Sequence, residues 1–152
     1  MMNVKEDIIQ DIKYKGDISM MTTNNNNNPA TKKMELKYFT YDEFNSPDIQ
    51  SGGDLMDMEL LLMVDRVREQ YGKPIIITSG YRTPQHNARV GGKTTSSHIK
   101  GLAIDIACDN STDRFKLKGL LQEVGFNRIG IDKKFIHVDV DKDKIQNILW
   151  IY

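Results

Sequence analysis

Two short runs constrain this chain more than any other feature: LAIDIAC, residues 102–108, and FIHVDV, residues 135–140. Both alternate, and alternate residues of a strand share a face. In the first run Leu102, Ile104 and Ile106 point to one side, and Ala103, Asp105 and Ala107 to the other. In the second, Ile136, Val138 and Val140 take the apolar face and leave His137 and Asp139 on the opposite one. A carboxylate or imidazole set into a buried strand needs a partner to offset its desolvation. A fold that uses both strands in one sheet with these faces aligned brings Asp105 and His137 together, and His98 can fold over them from the loop before Gly101.

The rest of the chain supplies material to build such a sheet. Its 152 residues, 39% of them hydrophobic, suit one core. Twenty-one basic and 21 acidic residues cancel, so no global field draws the chain to nucleic acid or anionic lipid. The single cysteine, Cys108, has no companion for a disulfide or a zinc knuckle and reads as core filler. MMNVKEDIIQDIKYKG at the start breaks every apolar pair with charge, so it is neither a secretory h-region nor a membrane span. Synthesis in the cytosol without a signal peptide is the expectation, with the chain acting as a monomer. MMTTNNNNNPATKK, residues 20–33, cannot repay its ordering entropy and reads as a flexible linker. This separates an N-terminal segment, residues 1–33, from a domain spanning residues 34–152.

Within that domain the periods alternate. Thr40 and Glu43 form a capping-box pattern for a short helix ended by Pro47. DLMDMELLLMVDRVREQYG carries Leu55, Met58, Leu62 and Val67 along a helical stripe and stops at Gly72. Ile75 to Thr78 read as a buried strand delivering Tyr81 and Arg82 at its exit, and a helical turn is expected around His86 to Val90 before a Gly91-Gly92 turn. STDRFKLKGLLQEVG predicts a helix capped by Ser111 or Asp113, with Phe115, Leu117, Leu120, Leu121 and Val124 as its apolar face. A hairpin follows, Arg128–Ile131 and Phe135–Val140, and KIQNILWIY reads as helical or mixed, docking Ile148, Leu149 and Trp150 on the core. The class is α+β: a single domain with a mostly antiparallel sheet flanked by helices.

Two imidazoles and one carboxylate suit a first-row metal, and zinc with three protein ligands keeps a fourth position open, as catalytic sites do. A metal-free network in which the same histidines and aspartates only hydrogen-bond one another remains the alternative.

The pattern Ser96-x-His98-x-x-Gly101-x-Ala103-x-Asp105 with a later His137-Val138-Asp139, and SGYRTPQHNARVGG upstream at residues 79–92, resembles peptidase family M15. This family comprises zinc-dependent D-alanyl-D-alanine carboxypeptidases and cell-wall endopeptidases, and the likeness is greatest to its small phage-type branch. The resemblance covers roughly Phe39 to Val140. It implies a hedgehog/DD-peptidase-like fold, one zinc ion held by His98, Asp105 and His137, and Arg82 near the scissile carbonyl or a substrate carboxylate. It implies peptidoglycan stem peptides as substrate; the expected lack of a signal peptide fits an endolysin or a virion component, and the balanced charge and lack of an apolar span give neither nucleic acid nor membrane as partner. Ser96 either hydrogen-bonds near the metal or caps its own turn, and His86 is a candidate to line the site. Other branches carry a glutamate as general base where this chain has Lys134, and a neighbouring branch has a histidine where this chain has Phe135. The base then falls to Asp139, which could equally be a carboxylate that orients a ligand imidazole, with Asp132 as a weaker candidate. A non-catalytic zinc-stabilised module of the same fold is the rival reading.

Overall fold

The computed structural model describes residues 33–152, and the fold is that of the unit Leu36–Tyr152. Apart from Lys33, the expected N-terminal segment and linker lie outside the described residues.

Five strands form one sheet in the order β1-β2-β4-β3-β5. They are β1 Ile77–Ser79, β2 Ala103–Ala107, β3 Arg128–Ile131, β4 Phe135–Asp139 and β5 Ile148–Ile151. All neighbours are antiparallel except β3 and β5, which run parallel. The sheet is therefore mostly antiparallel, within a mixed α+β fold. One face is apolar: Ile104, Ile106, Ile136 and Val138 are fully buried there.

Helix α1, Met58–Tyr71, starts where the Asp57 carboxylate accepts the Leu60 N–H at 3.0 Å and ends at Gly72 in the left-handed region, φ 73°. Its buried face is Leu60, Leu61, Val64 and Val67. The expected stripe through Leu55, Met58 and Leu62 is displaced, because the helix begins only at Met58 and Leu55 sits exposed in the preceding 3-10 turn Gly52–Leu55. A second helix, α2 (Pro84–Arg89), follows β1, and α3 (Ser111–Val124) follows β2. The α3 cap is Asn110, whose side chain accepts the Asp113 N–H at 2.9 Å, rather than Ser111 or Asp113 itself. Leu117, Leu121 and Val124 turn inward, whereas Phe115 is 84% exposed. Two residues from Leu117 is about 200° round a helix, so Phe115 falls on the solvent side.

The C-terminal stretch departs most from expectation. It is a strand, and it is anchored to β3 by Ile148 N–H donating to the Asn127 carbonyl at 2.9 Å and Tyr152 N–H to the Ile131 carbonyl at 3.0 Å. Leu149 and Ile151, expected inside or unassigned, face outward and are exposed. The alternation of β5 sends Trp150 and Tyr152 to the other face, that of Asp105 and His137.

Candidate metal centre

The register places the polar residues in one row. Ser79 pairs with Asp105, Asp105 with His137, His137 with Gly130, and Gly130 with Trp150. The row crosses all five strands. Gly130 contributes no side chain to it, and a Cβ there would lie 2.6 Å from the Trp150 ring. That gap lets the indole lie beside His137, their ring centres 5.5 Å apart.

His98 reaches the row from the loop between α2 and β2. Gly101 turns that loop with φ +70°, and any Cβ would meet the Leu55 carbonyl oxygen at 2.1 Å, so only glycine permits the close crossing. The loop is tied to the end of β4 by buried Asp141, which accepts from Ser97 Oγ at 2.9 Å and Lys100 Nζ at 3.1 Å.

Three donor atoms now converge. His98 Nε2 lies 3.3 Å from His137 Nδ1 and 3.3 Å from Asp105 Oδ1, and His137 Nδ1 lies 2.8 Å from Asp105 Oδ1. Ligands bound tetrahedrally at 2.0–2.1 Å stand about 3.3 Å apart, so these atoms need little adjustment to share one ion. His98, Asp105 and His137, all buried, thus form a cluster geometrically suited to a divalent metal.

Each donor is also held from behind. His98 Nδ1–H donates to the Gly80 carbonyl at 2.7 Å, leaving Nε2 as the free donor. His137 Nε2–H donates to Asp139 Oδ2 at 3.1 Å, leaving Nδ1. Asp105 Oδ2 accepts from Arg82 Nη2 at 2.7 Å, leaving Oδ1. Such outer partners fix tautomers and orientation at metal sites.

Electrostatics follow the same contacts. Burial lowers the pKa of His98. Burial acts against charge on Asp105 too, but its contact with His137 Nδ1 outweighs that and holds the carboxyl well below the usual range. For His137, burial is outweighed by Asp105 and Asp139, and the pKa is raised. Without an ion, the ring between two carboxylates holds a proton that a cation would replace.

The cluster opens into a cleft of about 710 Å³. Val90 to Lys93 and Ser96 form one wall, and Phe135, Trp150 and Tyr152 an aromatic one. Arg82 lines it, with Nε on Ser79 Oγ at 2.7 Å and Nη2 on Asp105. Ser96 lines it as well, and its Oγ accepts the His98 N–H at 3.3 Å, a local cap on the turn. His86 is not among the lining residues; α2 starts at Pro84, and the His86 N–H is taken by the capping Thr83 Oγ1 at 3.0 Å. Asp132 caps its own hairpin through the Lys134 N–H at 2.8 Å and is likewise absent from the cleft wall. Lys134 itself flanks a different hollow, near Cys108. Asp139 is 1% exposed, on the far nitrogen of His137 from the cluster, with Oδ1 taken by Arg128 at 2.6 Å. Arg128, Gly130, Trp150 and Tyr152 are not among the site residues read from sequence; ILWIY is apolar throughout, so its pattern does not say which face the last two take.

The sheet thus carries, at the floor of an open cleft, a buried His-Asp-His cluster of a geometry suited to a divalent metal. The chain belongs to the M15 peptidase family, whose model, Peptidase M15, matches residues 37–139. No curated protein matches the chain. Among the described residues no helix is long and apolar enough to cross a membrane.

Proposed function

We propose that the chain is a zinc-dependent peptidase of hedgehog/DD-peptidase-like fold that hydrolyses an amide bond in peptidoglycan stem peptides, as an endopeptidase or a D-alanyl-D-alanine carboxypeptidase. The observation that carries this reading is the mutual spacing of the His98, Asp105 and His137 donors at the floor of the cleft, in an M15 family chain. When bound, zinc supplies a Lewis acid for the peptide carbonyl and a means of ionising water near neutral pH.

The chain's own groups do the rest. His98, Asp105 and His137 hold the ion, and the Gly80 carbonyl and Asp139 keep both rings in the ligating tautomer. Arg82 anchors two nitrogens on Ser79 and Asp105 and has Nη1 to offer an acyl oxygen as charge builds on it, or a substrate carboxylate. Lys93 and Lys144 on the cleft wall suit an anionic peptide. The aromatic wall of Phe135, Trp150 and Tyr152 offers an apolar surface to a bound peptide. The position of Asp139 supports an orienting role over that of proton acceptor. Action at the cell wall, after release from the producing cell or as a virion component, and by one chain alone, belongs to the same reading.

One observation favours the non-catalytic alternative: among the described residues lining the cleft, the only carboxylates are Asp105 and Asp139, and both are engaged. Zinc content of the purified protein, followed by turnover on a stem-peptide digest with and without chelator, separates the two. The peptidase reading expects one zinc per chain and chelator-sensitive cleavage that His98→Ala abolishes. One zinc with no cleavage of any stem peptide selects the binding module, and no zinc selects a polar network.

A further inference from the structure

Arg128 opens β3 and sends a buried guanidinium into the site face. Its Nε donates to Asp139 Oδ1 at 2.6 Å, and its Nη1 donates to the Ile145 carbonyl. The guanidinium carbon stands 5.5 Å from the centre of the Trp150 ring. One side chain therefore joins three parts of the chain: β3, the end of β4, and the C-terminal segment that becomes β5.

The carboxylate it grips is the one behind the metal ligand. Asp139 Oδ1 takes Arg128 and the Asp141 N–H at 3.1 Å, which leaves Oδ2 aimed at Nε2 of His137. The ring has a competing choice, because Asp105 Oδ1 lies 2.8 Å from its other nitrogen. A neutral ring that donates through Nδ1 to Asp105 turns its lone pair away from the cluster and cannot ligate there. Which tautomer forms depends on how firmly Oδ2 is held in line with Nε2, and a carboxylate bound at one oxygen by a fork-shaped guanidinium rotates far less than one held by a backbone N–H alone.

We propose that Arg128 is a positioning residue of the metal centre: through Asp139 it keeps the His137 proton on Nε2, and through Ile145 and Trp150 it makes the C-terminal strand part of the scaffold on which the ligand set depends. The proposal rests on the metal-binding reading above, and nothing in Arg128 touches the cluster itself.

The test uses the full chain and its Arg128→Gln and Arg128→Lys variants, with Arg66→Gln as a control that removes only a surface ion pair with Glu69. Zinc affinity is measured by chelator competition, and the ring nitrogens of His137 are followed by 15N spectroscopy in the zinc-free protein at alkaline pH. Arg128→Gln should weaken zinc binding about 10- to 100-fold and turn a single Nε2–H tautomer into a mixture. Arg128→Lys, which keeps a donor for Asp139, should recover part of both, and Arg66→Gln should change neither. If Arg128→Gln does not fold, the lysine variant decides, with an intermediate loss of affinity and a mixed ring signal expected. Wild-type affinity together with a wild-type ring spectrum, in whichever variant is read, overturns the proposal, and a lowered melting temperature with both readouts unmoved does so too, making Arg128 scaffold only. A wild-type protein that binds no zinc counts instead against the functional reading, and the ring spectrum then decides the role of Arg128.

Discussion

His137 sits between two carboxylates, and that position governs how the centre responds to pH. Its pKa in the metal-free chain is raised above the ordinary imidazole value by Asp105 and Asp139 in spite of burial. The proton is therefore kept below that raised pKa and must leave when an ion binds. The sign is then fixed: affinity falls as pH falls through the His137 pKa, by about tenfold per pH unit below it, and levels off above it. Titration calorimetry with zinc between about pH 5.5 and 8 should show this slope, and a flat profile would mean that no such proton is displaced. Asp139→Asn separates orientation from proton transfer. With the carboxylate only orienting the ring, the variant should bind zinc about 10- to 100-fold more weakly and regain activity in excess zinc. A loss of about 10²- to 10⁴-fold at saturating zinc would instead make Asp139 the base.

At the scale of elements, β5 closes the sheet beside the site, and Gly130 is what admits it. The indole of Trp150 occupies the space that a Cβ at position 130 would need, and the Tyr152 ring stands 2.7 Å from the same point. Gly130→Ala should displace both rings and lower stability by about 1–3 kcal/mol, the usual cost of overpacking. Thermal melts and the emission of Trp150, the single tryptophan, report the two effects separately. A variant with unchanged melting temperature and unchanged emission would show that β5 can shift without cost. The loop carrying His98 depends on elements in the same way: Gly101 brings it close over Leu55, and Asp141 ties it to the end of β4.

At the scale of the molecule, the three candidate ligands come from a loop and two strands, so an ion bound by all three would stabilise the folded chain and not the unfolded one. Free zinc at 100 times its dissociation constant should add about 2.7 kcal/mol, visible as a rise in melting temperature. The same rise should persist after deletion of residues 1–33, because the asparagine tract and the charge-interrupted segment before it offer little apolar area to a core. A truncated protein that melts much lower, with or without zinc, would show that those residues contribute to the folded domain.

Strand alternation alone was enough to set Asp105 and His137 on faces opposite Ile104 and Val138, because a period of two leaves a buried strand no other way to sort its side chains, but only the tertiary register of β2 and β4 pairs the two residues. Capping and turn chemistry was local as well, as Gly72 and the Thr40–Glu43 pair show: the Glu43 carboxylate accepts the Thr40 N–H at 2.9 Å. Helix faces were less legible. Leu55, Leu62 and Phe115 are apolar at helical spacing, yet which side of a helix is buried depends on what packs against it, and that is not written within the helix. The C-terminal strand was hidden for the same reason. Four residues pair in parallel with β3 only once the hairpin β3–β4 exists to offer an edge, and a segment so short has no period of its own to declare. Arg128 and Asp139 lie eleven residues apart in sequence; the place of Asp139 in a buried strand marks it as needing a partner, but Arg128 alone reads as an ordinary charge. Their contact, and with it the hold on His137, exists only because the antiparallel register of β3 and β4 brings them together, where burial leaves each charge the other as its partner.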